Sequence, residues 1–397
     1  MRLTLLATCL LLAGFAHAQD AATRLADDAV IVDTHIDAPT ELLDHWADLG
    51  GEVKGREFDY VKARRGGLDV AFMSIYTSPE QDAAGTAWQT ANAMIDAVEA
   101  LAQRHPGKFA LLTSPRDVDR LRQGGRVLLP LGMENGAPLG DELANVQFFF
   151  DRGVRYITLA HSAPNRIADS SYSPAKTWNG LSPFGRQVVA EMNRVGIMVD
   201  VSHLGDASAL EAIRISKVPV IASHSAFRHF TPGFERNISD AIAKAVAASG
   251  GVVQVPFGTM FISPESAADG QAYYAARQAF DRRNAELLAQ GQPVLDQAAF
   301  QRDWAPKHPP RGSTLAQVLD EIDYGVKLIG IDHVGIGSDF DGVGGELAEG
   351  LKTVADYPQL VAGLQQRGYR EADIRKLLGG NLLRTWRAIE AGAQPAR

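Results

Sequence analysis

Short apolar runs alternate with longer amphipathic stretches along this chain. Eight runs rich in β-branched residues, each ending on polar or glycine residues, predict strands. They cover 29–33, 68–75, 126–131, 154–160, 196–201, 218–222, 251–255 and 333–337. Helical patterns lie between most of them, for example over 86–104 and over 183–195 after the N-cap candidate Ser182. Strands that alternate with helices pair in parallel, so we predict an α/β fold, a closed (β/α)8 TIM-like barrel.

The strand ends favour a barrel over an open doubly wound sheet. Six of the eight runs lead to a potential metal ligand or acid–base residue. An open sheet gathers its ligands at one switch point, whereas a barrel uses the carboxyl ends of many strands. We find no internal repeat or interdomain linker, and we therefore predict one barrel domain over 19–397.

Two regions depart from the simple alternation. Segment 263–312, before the eighth strand, is far longer than a usual connection, and 271–290 within it has a helical pattern. It is either a lid, a subunit contact or a surface excursion. Residues 357–390 predict two amphipathic helices that pack outside the barrel.

The N-terminus has the pattern of a secretory signal peptide. A basic start is followed by the apolar run 3–15 and by Ala16-His17-Ala18, which fits a small-residue cleavage site. We predict removal of residues 1–18 by cleavage near Ala18, and export to the periplasm or the medium. The apolar run is too short for a stable membrane anchor. The rival is a lipoprotein signal on Cys9, but Cys9 lies in the middle of the apolar run.

Composition narrows the function classes. The chain has 397 residues, 46% hydrophobic and 22% charged, which excludes a disordered protein. Its net charge of -8 argues against a nucleic-acid partner held by bulk charge. The single cysteine, Cys9, belongs to the predicted leader, so a metal site in the mature chain must use His, Asp and Glu.

Five residues at predicted strand ends suggest a metal site. His35 and Asp37 are two apart at the end of the first strand, so both can reach one ion. Glu134 follows the third strand, and its two oxygens can bridge two cations. His203 and His224 end successive strands. Each histidine alone is more often a hydrogen-bonded core residue, but the set together favours metal binding.

Three further residues are candidates for catalysis or substrate binding. His161 ends the fourth strand and is a further ligand or an electrophile. Asp339 ends the eighth strand, where catalytic residues of barrels collect, and Asp341 competes with it for the acid–base role. Arg236 follows the sixth strand, and its guanidinium suits a carboxylate or phosphate unless it is simply solvated.

In order and spacing, these motifs resemble the membrane dipeptidase (renal dipeptidase) family of zinc metallopeptidases over about 28–390. The resemblance rests on Asp33-Thr-His-Ile-Asp37, Leu131-Gly-Met-Glu134, Arg155-Tyr-Ile-Thr-Leu-Ala-His161, Asp200-Val-Ser-His203, Ser223-His-Ser225, Arg236-Asn237 and Gly337-Ser-Asp-Phe-Asp-Gly-Val343. The family implies a barrel of the metal-dependent hydrolase type. It also implies a dipeptidase that cleaves the peptide bond of L,L dipeptides through a metal-bridging hydroxide, and it leaves the cleavage of L,D dipeptides open.

The resemblance also implies roles for single residues. His35 and Asp37 would hold one Zn2+, His203 and His224 would hold the other, and Glu134 would bridge both. His161 and Arg236 match substrate-contacting positions, with His161 also stabilising the oxyanion. Asp339 matches the acid–base carboxylate.

The sequence departs from the family pattern in places. The cysteines and lipid-anchor tail of animal members are absent, so we expect neither disulfide-linked dimers nor membrane attachment; a homodimer stays open. Segment 263–312 looks expanded, and Asn135 stands where glycine is expected. Two alternatives remain: another binuclear-metal amidohydrolase acting on lactones, cyclic amides or phosphoesters, and a non-catalytic exported binding protein. Intact ligand residues argue against the second.

Overall fold

The computed structural model describes residues 20–309 and 311–394, and the predicted signal peptide, 1–18, lies outside them. Residues 20–28 are helical. The strands are β1 Ile31–Ile36, β2 Leu68–Tyr76, β3 Phe109–Leu111, β4 Val127–Leu129, β5 Leu131–Glu134, β6 Val154–Thr158, β7 Met198–Asp200, β8 Ile221–Ala222, β9 Val252–Val255 and β10 Val334–Ile336.

Eight of these strands form the predicted parallel barrel. β1 pairs with β2, β2 with β5, and the order then runs in sequence from β5 to β10. A parallel bridge between Ile36 and Phe340 closes the ring, and the backbone N–H of Asp339 donates to the carbonyl of His35 at 3.1 Å. The (β/α)8 prediction is confirmed.

The third predicted strand is two strands in the structure. Pro130 has no backbone N–H and separates β4 from β5. Only β5 joins the barrel ring, between β2 and β6. β4 pairs with β2 at a single position and extends outward to β3, which the apolar pattern did not predict because β3 is only three residues long.

Helices surround the ring. Their bounds are α1 Ala38–Asp44, α2 Tyr60–Gly66, α3 Pro79–Ala83, α4 Ala87–Arg104, α5 Val118–Leu121, α6 Ala144–Asp151, α7 Pro183–Val195, α8 Asp206–Ile215, α9 Asp240–Ala248, α10 Thr259–Ile262, α11 Pro264–Ala289, α12 Gln297–Trp304, α13 Leu315–Ile329, α14 Tyr357–Gln366, α15 Glu371–Arg375 and α16 Asn381–Gly392. α7 begins as predicted, because the Ser182 side chain accepts from the N–H of Gly185 at 2.8 Å. Within the described ranges, we find no helix with the length and apolar character needed to span a bilayer.

The last helix, α16, covers the end of the barrel at which the strands begin, here called the lower mouth. Trp386 is fully buried there, with its ring centroid 5.4 Å from that of Phe72 on β2. The cluster around it includes residues on the barrel strands, namely Val32, Val70, Phe72, Tyr156, Met198, Ile221 and Val252. The C-terminal region therefore does more than pack outside the barrel, because it supplies part of the buried core.

Segment 263–312 is a helical insertion next to the upper mouth of the barrel, the end at which the strands finish. α11 begins earlier than the predicted 271–290, because Ser263 caps it and Pro264 occupies its first turn. α12 and a 3-10 turn, Ala305–Lys307, follow before the chain returns to α13. The segment lies where the carboxyl ends of the strands open, and so borders the site described next.

Candidate metal centre and active site

The candidate ligands converge at the carboxyl ends of the barrel strands. Nε2 of His35 lies 3.3 Å from Oδ2 of Asp37 and 3.5 Å from Oε2 of Glu134. The other oxygen of Glu134, Oε1, lies 3.0 Å from Nε2 of His203 and 3.2 Å from Nε2 of His224. All five side chains are buried. Glu134 thus directs one oxygen at each of two donor groups, the arrangement required of a bridging carboxylate.

This donor set fits metal ions. Nε2 of His35 is buried without a hydrogen-bond partner, although it points at two carboxylates. The site contains three sets of three His, Asp or Glu side chains. Within each set, the potential ligand atoms lie within 4.8 Å of one another, and Glu134 belongs to two of the sets. Imidazole nitrogens and carboxylate oxygens are ligands that Zn2+ accepts together.

The pKa shifts of three of the five ligands favour metal binding, whereas the pKa of His35 is raised well above its usual value, against the effect of burial, by Tyr156, Glu134 and Asp37. Burial, followed by neighbouring positive charge, holds the pKa values of His203 and His224 well below the usual range, so both imidazoles are neutral. Burial alone would raise the pKa of Glu134, but neighbouring positive charge, chiefly that of His35, holds it well below its usual range. Metal ligation needs these forms, a neutral imidazole and an ionised carboxylate.

A hydrogen-bond relay orients His224. Ser223 donates its hydroxyl proton to Oδ2 of Asp200 at 2.6 Å, and Oγ of Ser223 lies 2.8 Å from Nδ1 of His224. Because a hydroxyl has one proton, Ser223 must accept from Nδ1–H of His224, which leaves Nε2 free to bind a cation. Oδ2 of Asp200 also accepts from the Thr158 hydroxyl at 2.5 Å. His35 is held similarly, with Nδ1 2.8 Å from the Tyr156 hydroxyl.

These orienting residues were missed as functional residues by sequence reasoning. Asp200, Ser223 and Tyr156 all stand inside the motifs that carry the family resemblance, yet the strand pattern assigned them no role. Their spacing was the only available signal, because Asp200 lies three residues before His203 and Ser223 directly precedes His224.

Left-handed backbone marks the loops at the site. His203 has φ 66°, Asp339 φ 69° and Asp341 φ 61°, values that non-glycine residues rarely adopt. Asn135 has φ 76°, which explains why glycine is expected at that position. Its side chain stabilises the turn, since Nδ2 donates to the carbonyl of Thr77 at 2.8 Å.

The structure separates the two candidate acid–base carboxylates. Oδ1 of Asp339 faces the ligand cluster, 4.0 Å from Nε2 of His35. Burial, with repulsion from Asp37 and Glu134, raises the pKa of Asp339 well above its usual value. Asp341 instead accepts from the backbone N–H of Glu57 at 2.8 Å, so its carboxylate is engaged in the neighbouring loop. Asp339 therefore has the better position for proton transfer.

His161 and Arg236 occupy different environments. Nε2 of His161 lies 3.5 Å from Oε1 of Glu134, and its side chain borders the cavity above the ligands. Arg236 is buried and lies outside the cavity lining. Its guanidinium donates to the Ser225 hydroxyl at 3.0 Å and to the carbonyl of His224 at 2.8 Å, and Nη2 also lies 3.0 Å from Nε2 of His203. Nε of Arg236 has no hydrogen-bond partner among the described residues. Arg236 thus contacts the ligand cluster on the side away from the cavity. Its role in binding a carboxylate stays a prediction.

A cavity of about 900 Å3 opens above the ligands. Asp37, Glu134, His161, His203 and Asp339 form its floor, and residues of segment 263–312 form much of one wall. A pocket of this size with convergent titratable groups has the form of an active site.

Comparison with known proteins agrees with this geometry. The sequence model of the family described as "Membrane dipeptidase (Peptidase family M19)" matches residues 19–397. "Dipeptidase tcpJ" of Claviceps purpurea is 29% identical over 296 residues, 75% of this chain, and the chain spans only 59% of the length of that relative. "Uncharacterized dipeptidase C965.12" of Schizosaccharomyces pombe is 29% identical over 395 residues, 94% of this chain and 83% of its own length.

Solved structures show the same architecture. The probable dipeptidase PvdM from Pseudomonas aeruginosa superposes with a TM-score of 0.82 at 28% identity, covering 95% of this chain and 100% of its own. A metallo peptidase from Rhodobacter sphaeroides, liganded with a phosphinate mimic of L-Ala-D-Ala, shares the fold with a TM-score of 0.73 at 24% identity, covering 91% and 99%. The chain therefore belongs to the membrane dipeptidase family, the metallo-dipeptidases of peptidase family M19.

Proposed function

We propose that the protein is a zinc-dependent dipeptidase with two metal ions per chain. This proposal rests mainly on the orientation of the Glu134 carboxylate, whose two oxygens face separate groups of buried donor atoms. His35 and Asp37 would hold one ion, His203 and His224 the other, and Glu134 would bridge them. Bound there, two zinc ions supply a Lewis acid for the scissile carbonyl and lower the pKa of an attacking water.

The chain's own residues would perform the proton transfers. Asp339 would accept the proton of the attacking water as a carboxylate and deliver it to the leaving amine, since it is buried beside the ligands with Oδ1 4.0 Å from Nε2 of His35. His161 donates from Nε2 to the developing charge on the carbonyl oxygen. Burial lowers the pKa of His161, so a neutral imidazole performs this role.

The proposed substrate is a dipeptide with a free C-terminal carboxylate. Arg236 would recognise that carboxylate, since its Nε has hydrogen-bonding capacity that no described residue uses and its Nη2 lies 3.0 Å from Nε2 of His203. The phosphinate mimic of L-Ala-D-Ala bound to the Rhodobacter sphaeroides protein makes L,D dipeptides worth assaying beside L,L dipeptides.

Metal content and substrate preference test the proposal together. Zinc-reconstituted protein should contain two zinc ions per chain and hydrolyse L,L dipeptides, with activity lost on chelation and restored by zinc. A panel of lactones, cyclic amides and phosphoesters serves as the comparison. A single zinc ion per chain would remove the binuclear arrangement, and faster turnover of that panel than of any dipeptide would favour another amidohydrolase activity.

The Arg236 role has its own test. Arg236→Ala should reduce kcat/KM for dipeptides far more than for the corresponding C-terminal amides, because only the acids carry the charge it would bind. Arg228→Ala is the matched control, since the Arg228 guanidinium is engaged with Asp206. Equal losses on acids and amides would eliminate the proposed clamp.

We also propose export of the mature chain. The support is the sequence pattern of residues 1–18 alone. N-terminal sequencing of protein recovered from the periplasmic and culture-medium fractions should give a start near residue 19. Recovery of the intact N-terminus in the cytoplasmic fraction would refute export.

A further inference from the structure

The cavity above the ligand cluster is larger than a small dipeptide requires. Its volume of about 900 Å3 is near the upper end of the roughly 300–1,000 Å3 range of ligand pockets. Much of the excess space lies along segment 263–312, which contributes Ser266, Asp269, Tyr273, Tyr274, Trp304 and His308 to the lining. A dipeptide of two small residues would leave this side of the cavity to water.

The wall formed by this segment is aromatic. Tyr274 stacks on Tyr172, with ring centroids 3.9 Å apart, and the Tyr172 ring lies 5.8 Å from that of His203. Farther out, Tyr273 meets the edge of Trp304 at 5.6 Å. These rings run from the ligand cluster toward the cavity mouth, and Tyr273 and Trp304 keep part of their surface accessible.

Hydrogen bonds and ion pairs hold the wall against the barrel. The amide of Gln278 on α11 donates to the carbonyl of Tyr172 at 2.7 Å. Arg277, on the same helix, pairs with Glu80 on α3 at 2.7 Å. The rings are therefore positioned before any substrate binds, which lowers the entropy lost on binding.

The polar groups at the edge of the wall are paired with each other. Asp269 accepts from Arg311 at 2.8 Å and lies 3.3 Å from Nδ1 of His308, whose ring stacks on Trp304 at 3.9 Å. A charged side chain placed against this wall would have to displace one of these partners. An aromatic side chain would instead bury its faces against exposed rings.

We propose that the wall selects dipeptides in which one residue has a large aromatic side chain, which packs against Tyr273 and Trp304. This inference rests on the proposed dipeptidase function and specifies its substrate class. Tyr273 and Trp304 act in specificity and are separate from the residues assigned to proton transfer.

Steady-state kinetics of the zinc-loaded enzyme can test this selection. The substrates are Ala-Ala, Ala-Phe, Phe-Ala, Ala-Lys and Lys-Ala, and the variants are Tyr273→Ala and Trp304→Ala. We expect wild-type kcat/KM to be highest for one of the two phenylalanine dipeptides. Each variant should reduce that value about 10-fold or more, mainly through KM, while Ala-Ala changes less than about threefold.

Phe280→Ala is the matched control for damage to the segment. Phe280 lies on α11, like Tyr273, and its ring centroid is 5.0 Å from that of Phe300, but it does not line the cavity. This variant should leave the ratio of phenylalanine to alanine substrates unchanged. Retained Ala-Ala activity shows that each variant is folded, and Trp304→Phe should recover much of the preference.

The outcomes separate the two levels of the proposal. Cleavage of dipeptides with no preference for phenylalanine, a preference for lysine, or equal losses on all substrates in the wall variants would overturn the aromatic selection alone. If the wild-type enzyme cleaves no dipeptide, the proposed function fails and the inferred selection fails with it.

Discussion

Replacing Asp200 with asparagine tests how the chain orients His224. Asp200 is fully buried, and each of its carboxylate oxygens accepts two hydrogen bonds. Oδ1 accepts from the backbone N–H groups of Ser202 and Ser223 at 3.1 and 2.8 Å, and Oδ2 accepts from the hydroxyls of Thr158 and Ser223. An asparagine presents one oxygen and one NH2 group, so two of the four bonds are lost whichever way the amide turns.

The size of the effect follows from the Ser223 hydroxyl. With an NH2 group in place of Oδ2, the hydroxyl becomes an acceptor toward residue 200 and turns its proton to Nδ1 of His224. That tautomer places the remaining proton on Nε2, the atom that faces Glu134. Loss of an outer hydrogen bond of this kind typically weakens metal binding by about 10–100-fold, equivalent to about 1.4–2.8 kcal/mol.

The assay is zinc affinity measured by competition with a chromogenic chelator. Far-UV circular dichroism and the unfolding midpoint report whether the Asp200→Asn variant remains folded. Asp151→Asn is the control, because Asp151 is exposed and accepts from the Gln147 side chain at 2.9 Å. A folded Asp200→Asn protein with wild-type zinc affinity would refute the relay from Asp200 to His224.

Three further predictions concern catalysis and stability. Asp339→Asn should keep its bound metal and lose about 10²–10⁴-fold in kcat, while Asp341→Asn loses far less; comparable losses in stopped-time assays would reassign the acid–base role. Trp386→Ala should lower the free energy of unfolding by about 3–5 kcal/mol, and a change below about 1 kcal/mol in denaturant titration would contradict its place in the core. Burial raises the pKa of Glu321 well above its usual value. The free energy of unfolding of the metal-free protein should therefore fall as pH rises from about 4.5 through the raised pKa. Glu321→Gln should remove that decrease, and parallel pH profiles of the two proteins would exclude a contribution from Glu321.

The barrel could be predicted because its strands are buried on both faces and read as apolar runs of similar length. Details set by single residues were less accessible. Pro130 divides one apolar run into two strands, and β8 retains only two residues of a five-residue run. The burial of Trp386 under the barrel depends on tertiary packing, which an amphipathic pattern does not specify.

The candidate ligands could be predicted because each follows the carboxyl end of a strand, where a barrel collects its functional groups. The spacing of His35 and Asp37 predicts two side chains on one face of a strand, but β1 ends at Ile36 and Asp37 is the N-cap residue of α1, with φ -88°. The junction between strand and helix, not the strand pleat, brings the two side chains together. Bonds between distant strands, such as Thr158 to Asp200, leave no periodic signal in the sequence.

The position of α16 has a consequence for the order in which the molecule is made. Val32, Val70 and Phe72 emerge early in synthesis, yet the side chain that covers them, Trp386, emerges more than three hundred residues later. Until then the lower mouth of the barrel presents an apolar surface to water. Completion of the barrel core therefore waits for the synthesis of α16, and a chain that stops before α16 exposes an apolar surface that chaperones and proteases recognise.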